Sequence, residues 1–336
     1  MKKYNVAVVG ALGAVGQEMI KILEQRNFPI NRLKPLDATF NKGKEIIFNG
    51  EKVLVEIAER GAFEDVDIAL FSAGGDASLE LAPIAVAERA IVIDNSSAFR
   101  MDPAVPLVVP EVNPEDLEWN KGLISNPNCS TIQMMVALKP IHDAYTIKRI
   151  VVSTYQAVSG SGQKGIDELN QQAKDYVTGK EIVTQVYPHQ IAFNALPHID
   201  VFTENGYTKE EMKMVNETEK ILSKDIKVSA TTVRVPVFRC HSESINIETK
   251  KPIDIEAIKK MLKDSSGITV QDCLETNTYP LAIDVANKDD VFIGRIRRDF
   301  SVENGLNMWV VSDNLRKGAA LNAIQIAETI IKLNLL

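Results

Sequence analysis

Tyr4-Asn5-Val6-Ala7-Val8-Val9-Gly10-Ala11-Leu12-Gly13-Ala14-Val15-Gly16 decides the fold of this chain. Tyr4 to Val9 is a compact run rich in β-branched residues and reads as a strand. The glycines after it allow a tight turn, and Val15, Met19, Ile22 and Leu23 then recur at the spacing of one helix face. Strand, glycine turn and helix in that order leave backbone N–H groups at a helix N-terminus, where a pyrophosphate can be held without a cationic side chain. That is the Rossmann arrangement. The glycine spacing is G-x-x-G-x-x-G rather than G-x-G-x-x-G, so a plain turn packing a helix on a sheet is the competing reading.

Working outward, a second strand from about Arg32 to Asp37 should end where an adenosine ribose would lie. Asp37 stands 21 positions past Gly16, where an acid accepts from the 2′-hydroxyl of NAD and repels the 2′-phosphate of NADP. Lys42 and Lys44 follow at once, so the local signals conflict. The alternation continues with strands at Val53 to Ile57 and Asp67 to Phe71, the turn Ser72-Ala73-Gly74-Gly75-Asp76, a helix through Leu79 to Arg89 and a strand at Ala90 to Ile93. Strands alternating with helices predict a parallel sheet whose loops gather at the strand C-terminal ends. Asp94-Asn95-Ser96-Ser97-Ala98-Phe99-Arg100 falls at such an end, where Arg100 is either an anion clamp or a surface arginine. Strands at Leu107 to Val109 and Leu123 to Ser125 complete this half.

Asn126-Pro127-Asn128-Cys129 comes next. Pro127 disfavours helix at Asn126, Asn128 is a good N-cap, and Ile132, Met135, Val136 and Leu138 repeat at helical spacing, so Cys129 should open a helix. A thiol there feels the positive end of the helix dipole, which favours the thiolate. The alternative is a small buried hydrophobe. Past Pro140 the pattern changes to longer strands: Arg149 to Ser153, leading through Gln156 into the Gly/Ser loop that ends at Gly162; Thr231 to Phe238, carrying Arg234; and a strand opening at His241 and running to Thr249. Helices are expected from about Gly165 to Val177 and, strongly charged, from Tyr207 to Ser223, the latter reading as a solvated face. His241 can serve as a base for a thiol or be a loop residue. His142 follows a helix end, and His189 and His198 lie in proline-containing loops. Further strands are expected at Ile268 to Asp272, Val291 to Arg297 and Leu306 to Val311, a helix near Ile255 to Leu262, and a last helix from Gly318 to Leu333 that could return to cover the first sheet.

The chain's 336 residues are long for one core, which predicts two domains. A net charge of −7 with scattered Lys and Arg argues against a nucleic-acid surface. The opening residues are interrupted too soon for a signal peptide and no apolar run is long enough to span a membrane, so a cytoplasmic protein is expected. Cys129, Cys240 and Cys273 form neither a disulfide framework nor a zinc spacing, and four histidines make a metal site unexpected. The fold class is therefore α/β: a doubly wound parallel-sheet domain, and a second α+β domain with a mixed, partly antiparallel sheet.

Several motifs together resemble the aspartate-β-semialdehyde dehydrogenase family: Gly10 to Gly16, Phe71-Ser72-Ala73-Gly74-Gly75, Ile93 to Arg100, Asn126-Pro127-Asn128-Cys129-Ser130-Thr131, Tyr155-Gln156-Ala157-Val158-Ser159-Gly160, the strands around His241, and Trp309 to Leu315. The resemblance implies reduction of L-aspartyl-4-phosphate to the semialdehyde, toward lysine, threonine, methionine and diaminopimelate. It implies Cys129 as a nucleophile forming a thioester, His241 as general acid and base, and Gln156 and Arg234 orienting substrate. Glu210 would meet the amino group, and Arg100, Asn128 and Lys213 the phosphate. Gly10, Leu12, Gly13, Ala14, Val15, Phe40, Asn41, Ser72, Gly74, Ser159, Gly160 and Asn314 would contact NADP. A homodimer is implied, with residues 1–128 and 315–336 binding dinucleotide and residues 129–314 carrying catalysis and the interface. N-acetyl-γ-glutamyl-phosphate reductase, or a non-catalytic dinucleotide-binding relative, is the alternative. Two departures stand out. Ala38-Thr39-Phe40-Asn41 replaces the family's Ser-x-Arg-Ser, which with Asp37 brings NAD, or dual use, into play. Cys240 stands where glycine is expected, either an oxidation liability or without consequence.

Overall fold

The computed structural model describes residues 2–336. Two compact units form: one from the chain up to Asn128 together with Ala319–Leu336, the other from Cys129–Gly318.

In the first unit β1 (Tyr4–Val9), β2 (Ile30–Asp37), β5 (Glu56–Ile57), β6 (Ile68–Phe71), β7 (Ile91–Asp94) and β8 (Leu123–Ser125) form a parallel sheet in the order β5-β2-β1-β6-β7-β8. Its central strands are apolar from Val6 to Val9, Ile68 to Phe71 and Ile91 to Ile93 because both faces are covered. Val6, Val8, Ile68, Leu70 and Ile93 point into one core with Met19, Ile22 and Leu23 of α1 (Ala14–Gln25). The alternate residues Ala7, Val9, Ala69, Phe71 and Val92 point into another with Leu81, Ala82 and Ala85 of α2 (Gly75–Ala87). The glycine turn is as tight as its composition demands: a Cβ on Gly10 would sit 2.5 Å from the Ser72 carbonyl oxygen, and one on Gly16 2.1 Å from that of Gly10.

Two expected strands of this unit are different. Val53 to Ile57 is split, because Asn49 and Gly50 both adopt positive φ and turn a hairpin of β3 (Glu45–Phe48) and β4 (Glu51–Leu54), leaving only β5 for the sheet edge. Leu107 to Val109 makes a single bridge to Ser125 rather than a strand. Pro106 and Pro110 flank it and cannot donate to a ladder.

The second unit starts with α3 (Cys129–Tyr145), followed by β9 (Ile147–Gln156), α4 (Gly162–Thr178), α5 (Lys209–Ile221), β10 (Lys227–Arg234), β11 (His241–Thr249), α6 (Ile255–Lys263), β12 (Ile268–Val270), α7 (Ala282–Val285), β13 (Val291–Asp299) and β14 (Gly305–Ser312). Its sheet runs β10-β9-β11-β14-β13-β12, with the inner pairings antiparallel and the two outermost parallel. Helix α3 is buried on every side from Ser130 to Leu138 and continues through Pro140, so His142 sits in its last turn rather than after its end. Proline costs an isolated helix about 3 kcal/mol; burial of this one offsets that cost. Strand β10 stops at Arg234 instead of reaching Phe238, since Pro236 has no N–H to continue it. Helix α5 is no solvated face: Glu210, Glu211 and Glu217 are buried, and Glu211 closes a capping box with Thr208 while accepting from the Thr232 N–H.

The final helix begins later than Gly318. Arg316–Ala320 form a π-turn, and α8 (Leu321–Lys332) then places Leu321, Ile324, Ala327 and Ile330 in the first unit's core beside α1. The unit edge lies at Gly318 because Leu315, Arg316 and Gly318 still donate their N–H groups to Asp313. No helix among the described residues is long and apolar enough to cross a membrane.

Candidate active site

Register alone builds the site of the second unit. Arg234 of β10 lies opposite Gln156 of β9; Gln156 is followed across the sheet by His241 of β11, and His241 by Ser312 of β14. This first row is polar and buried. Two residues further along each strand lies a second row of Thr232, Thr154, Glu243 and Val310, and beyond it a third of Ala230, Val152, Ile245 and Met308. One sheet face thus grades from polar to apolar. Helix α3 covers it, Cys129 being the helix's first residue and Gln133 following one turn later.

A chain of hydrogen bonds ties the first row to its surroundings. Gln156 Nε2 donates to Ser130 Oγ at 2.9 Å and to Glu210 Oε1 at 3.3 Å. Glu210 Oε2 accepts from Lys213 Nζ at 3.0 Å, and Lys213 also donates to Asp200 at 2.9 Å. Burial alone would lower the Lys213 pKa, but Glu210 and Asp200 hold it above the ordinary value. The Ala157 backbone is held at both of its polar groups: its carbonyl accepts from Arg234 Nη1 at 2.7 Å and its N–H donates to His241 Nδ1 at 3.1 Å. A neutral imidazole whose Nδ1 accepts carries its proton on Nε2. Burial, helped by the Arg234 charge, pushes the His241 pKa down to about 3, so the ring is neutral in ordinary buffers.

Ser159 and Asn314 bond to each other at 3.0–3.1 Å, and Asn314 Oδ1 accepts from the Cys240 N–H. Gly160 packs against the row itself, since a Cβ there would come within 2.8 Å of Arg234 Nη1 and 3.4 Å of the His241 ring. A Cβ on Gly318 would come within 3.0 Å of the Cys129 Cβ. Cys240 is buried, and burial followed by the Asp313 charge raises its thiol pKa far above the usual range. It is therefore poorly nucleophilic, and the oxidation liability falls away. It also takes a φ of 75°, the left-handed conformation that suits the expected glycine.

The first unit holds a separate cavity of about 680 Å³ lined by Gly10, Leu12, Gly13, Phe40, Asn41 and Ser72, with Asp37 and Lys44. Ala14 and Val15 open α1 beside it, and Gly74 precedes α2 with a φ of 91°. Arg100 is buried and clamps main chain, donating to the carbonyls of Asn126 at 2.9 Å and Asn95 at 2.7 Å. Asn128, also buried, closes this stretch.

Sequence reasoning missed several members. Asn126, treated as a flanking residue, donates to Asn95 and Ala319 and accepts from Asn322. Asp200 lies in an irregular loop and gave no signal. Glu243 of the second row and Gln133 of α3 are buried polar residues. The alternation of Glu243, Ile245 and Ile247 behind His241 was the available clue.

Fold and site define a two-unit oxidoreductase, one unit shaped for a dinucleotide and the other presenting a thiol. The family model described as semialdehyde dehydrogenase, NAD binding domain, matches residues 5–120, and that described as semialdehyde dehydrogenase, dimerisation domain, matches residues 138–317. The chain belongs to the semialdehyde dehydrogenase family. Aspartate-semialdehyde dehydrogenase of Aquifex aeolicus is 56% identical over 334 residues, 98% of each chain. That of Bacillus subtilis is 52% identical over 340 residues, again 98% of each. The solved structure of aspartate semialdehyde dehydrogenase II from Vibrio cholerae, complexed with ASA, superposes with a TM-score of 0.97 at 49% identity, covering 99% of both chains.

Proposed function

We propose that this protein is an aspartate-semialdehyde dehydrogenase, converting L-aspartyl-4-phosphate to the semialdehyde with a nicotinamide dinucleotide and releasing inorganic phosphate. The observation that carries the reading is Cys129 at the opening of α3, with Gln156 tied to the adjoining Ser130 and His241 beside Gln156 in one buried row.

The Cys129 thiolate, favoured by the helix N-terminus, attacks the acyl phosphate carbonyl. The C–O bond to phosphate breaks, phosphate leaves and a thioester remains. A nicotinamide dinucleotide, when bound, supplies the hydride that converts the thioester carbonyl to an alkoxide. That alkoxide collapses by re-forming C=O and expelling the Cys129 thiolate, so the aldehyde is released with no net proton transfer at this step. His241 fits as a donor: among the described residues its buried Nε2 has no hydrogen-bond partner, which leaves its N–H for the oxygen that becomes negative in both steps. Taking the thiol proton at Nε2 would need the tautomer that the Ala157 N–H opposes. Arg234 offers a planar fork to the α-carboxylate, Glu210 a negative charge to the amino group, and Lys213 and Arg100, with Asn128, bind phosphate. The charge balance and cysteine usage support a cytoplasmic enzyme working on small molecules, and the dimerisation-domain match supports a homodimer.

The test is phosphate-dependent oxidation of aspartate semialdehyde, followed by reduced-nucleotide absorbance. The protein should turn it over, and Cys129→Ala should lose at least about 10³-fold in kcat. Undiminished turnover by that variant would exclude the thioester route.

A further inference from the structure

We infer that the adenosine end of the first unit's cavity selects NAD(H) over NADP(H), and that Asp37 is the selecting residue. The inference rests on the functional reading above only in taking the cavity as a dinucleotide site.

Asp37 is the last residue of β2, at the C-terminal edge of a parallel sheet beside the glycine turn, where a carboxylate meets the adenosine ribose. Its side chain is held in place by three donors. Oδ2 accepts from the Leu12 N–H at 3.0 Å, and Oδ1 accepts from the Ala38 N–H and from Asn41 Nδ2, both at 2.8 Å. A carboxylate offers about four lone-pair sites, so Oδ2 keeps one for a ribose hydroxyl.

The same bonds prevent the charge from moving aside. Swinging Asp37 away to admit a 2′-phosphate would release Leu12 of the glycine turn, whose backbone is needed for the pyrophosphate. Leaving it in place would set a dianion against a fixed carboxylate. No arginine lines the cavity, and the lysine that does, Lys44, already donates to Asn41 Oδ1 at 2.6 Å, within the relay Lys44–Asn41–Asp37. A 2′-phosphate would have to dismantle that relay, whereas a 2′-hydroxyl adds to it. Phe40, on the cavity lip, is 82% exposed and offers a ring face to adenine. Stacking of that kind is indifferent to the 2′ position, so discrimination falls to Asp37.

The experiment titrates the purified full chain with NADH and with NADPH by nucleotide fluorescence, and measures kcat/KM for both couples in the semialdehyde assay. NADH should bind at least tenfold more tightly. Asp37→Asn, which removes the charge but keeps an acceptor for Leu12, should tighten NADPH at least fivefold and shrink the preference; a circular dichroism melt of the variant checks that the turn survives. Equal or tighter binding of NADPH by the unaltered protein overturns the inference, as does an Asp37→Asn variant with an unchanged ratio. A Lys44→Ala variant that selectively loses NADPH would also count against it, by placing a phosphate on that lysine. A protein that prefers NADH in titration but leaves aspartate semialdehyde untouched would sustain this inference and defeat the functional reading.

Discussion

The backbone of a single residue, Ala157, fixes two of the candidate catalytic side chains, holding Arg234 by its carbonyl and His241 by its N–H. Gly160 leaves the space in which both side chains lie. Gly160→Ala would drive a methyl group against a guanidinium that is buried and already bonded, so it cannot swing out to solvent. We expect kcat/KM to fall by roughly 10- to 100-fold while the melting temperature changes by no more than about 4 °C; a fully active variant would show that the row tolerates displacement. Cys129 and His241 were legible in the sequence because a thiol after Asn-Pro-Asn and a histidine ahead of an alternating strand carry recognisable patterns. Gly160 was legible as a loop glycine and, through the family resemblance, as an expected cofactor contact. Its packing against Arg234, 74 positions further along the chain, is a tertiary fact.

At the scale of elements, the sheet beneath α3 carries an uncompensated acid. Glu243 is fully buried near the Gln133 amide, its carboxyl oxygens have no hydrogen-bond partner among the described residues, and burial raises its pKa well above 4.5. Thr154 lies beside it on β9 and Val310 on β14, with His241 two residues along β11 and Gln133 above on α3. The folded protein keeps the Glu243 proton at pH values where the unfolded chain has released it, so this group's contribution to stability is lost as pH rises above about 4.5. Glu243→Gln removes that dependence. Its stability relative to the parent should be greater at pH 8 than at pH 5, read from denaturant melts at both; a difference independent of pH would mean that the acid is ionised in the fold. Composition hid this arrangement. His-Ser-Glu-Ser opens the expected strand with polar residues on both faces, and the pairing with β9 and β14 shows that the Glu243 face is the buried one. The charged run of α5 misled for the same reason: its glutamates satisfy a cap and a strand N–H that lie elsewhere in the sequence.

For the whole molecule, the first unit is discontinuous in sequence. Its sheet and glycine turn were legible because the strands are continuous apolar runs and the turn is local. The return of the last helix was legible from its apolar face. The β3–β4 hairpin is marked in the sequence by Asn49-Gly50, a strong hairpin signal, but the apolar residues from Val53 to Ile57 read equally as one strand and mask it. The buried residues Leu321, Ala323, Ile324, Ile326, Ala327 and Ile330 make α8 part of that core. Ending the chain at Ala319 should therefore abolish NADH binding and expose residues 2–128 to proteolysis, with Cys129–Gly318 remaining protected; retained binding would show that the sheet stands without its closing helix.

The placement of α8 also sets an order of events during synthesis. The strands and α1 of the first unit leave the ribosome early, but α8, which packs beside α1 and β7, follows only after the roughly 190 residues of Cys129–Gly318 have been made. At 5–20 residues per second that is an interval of roughly 10 to 40 s. During it, α1 already packs on Val6, Val8, Ile68 and Leu70, but the part of the core around Ile93 that α8 closes has no covering helix yet translated. The inserted unit is thus free to fold first, and chaperone demand falls on the nascent N-terminal half.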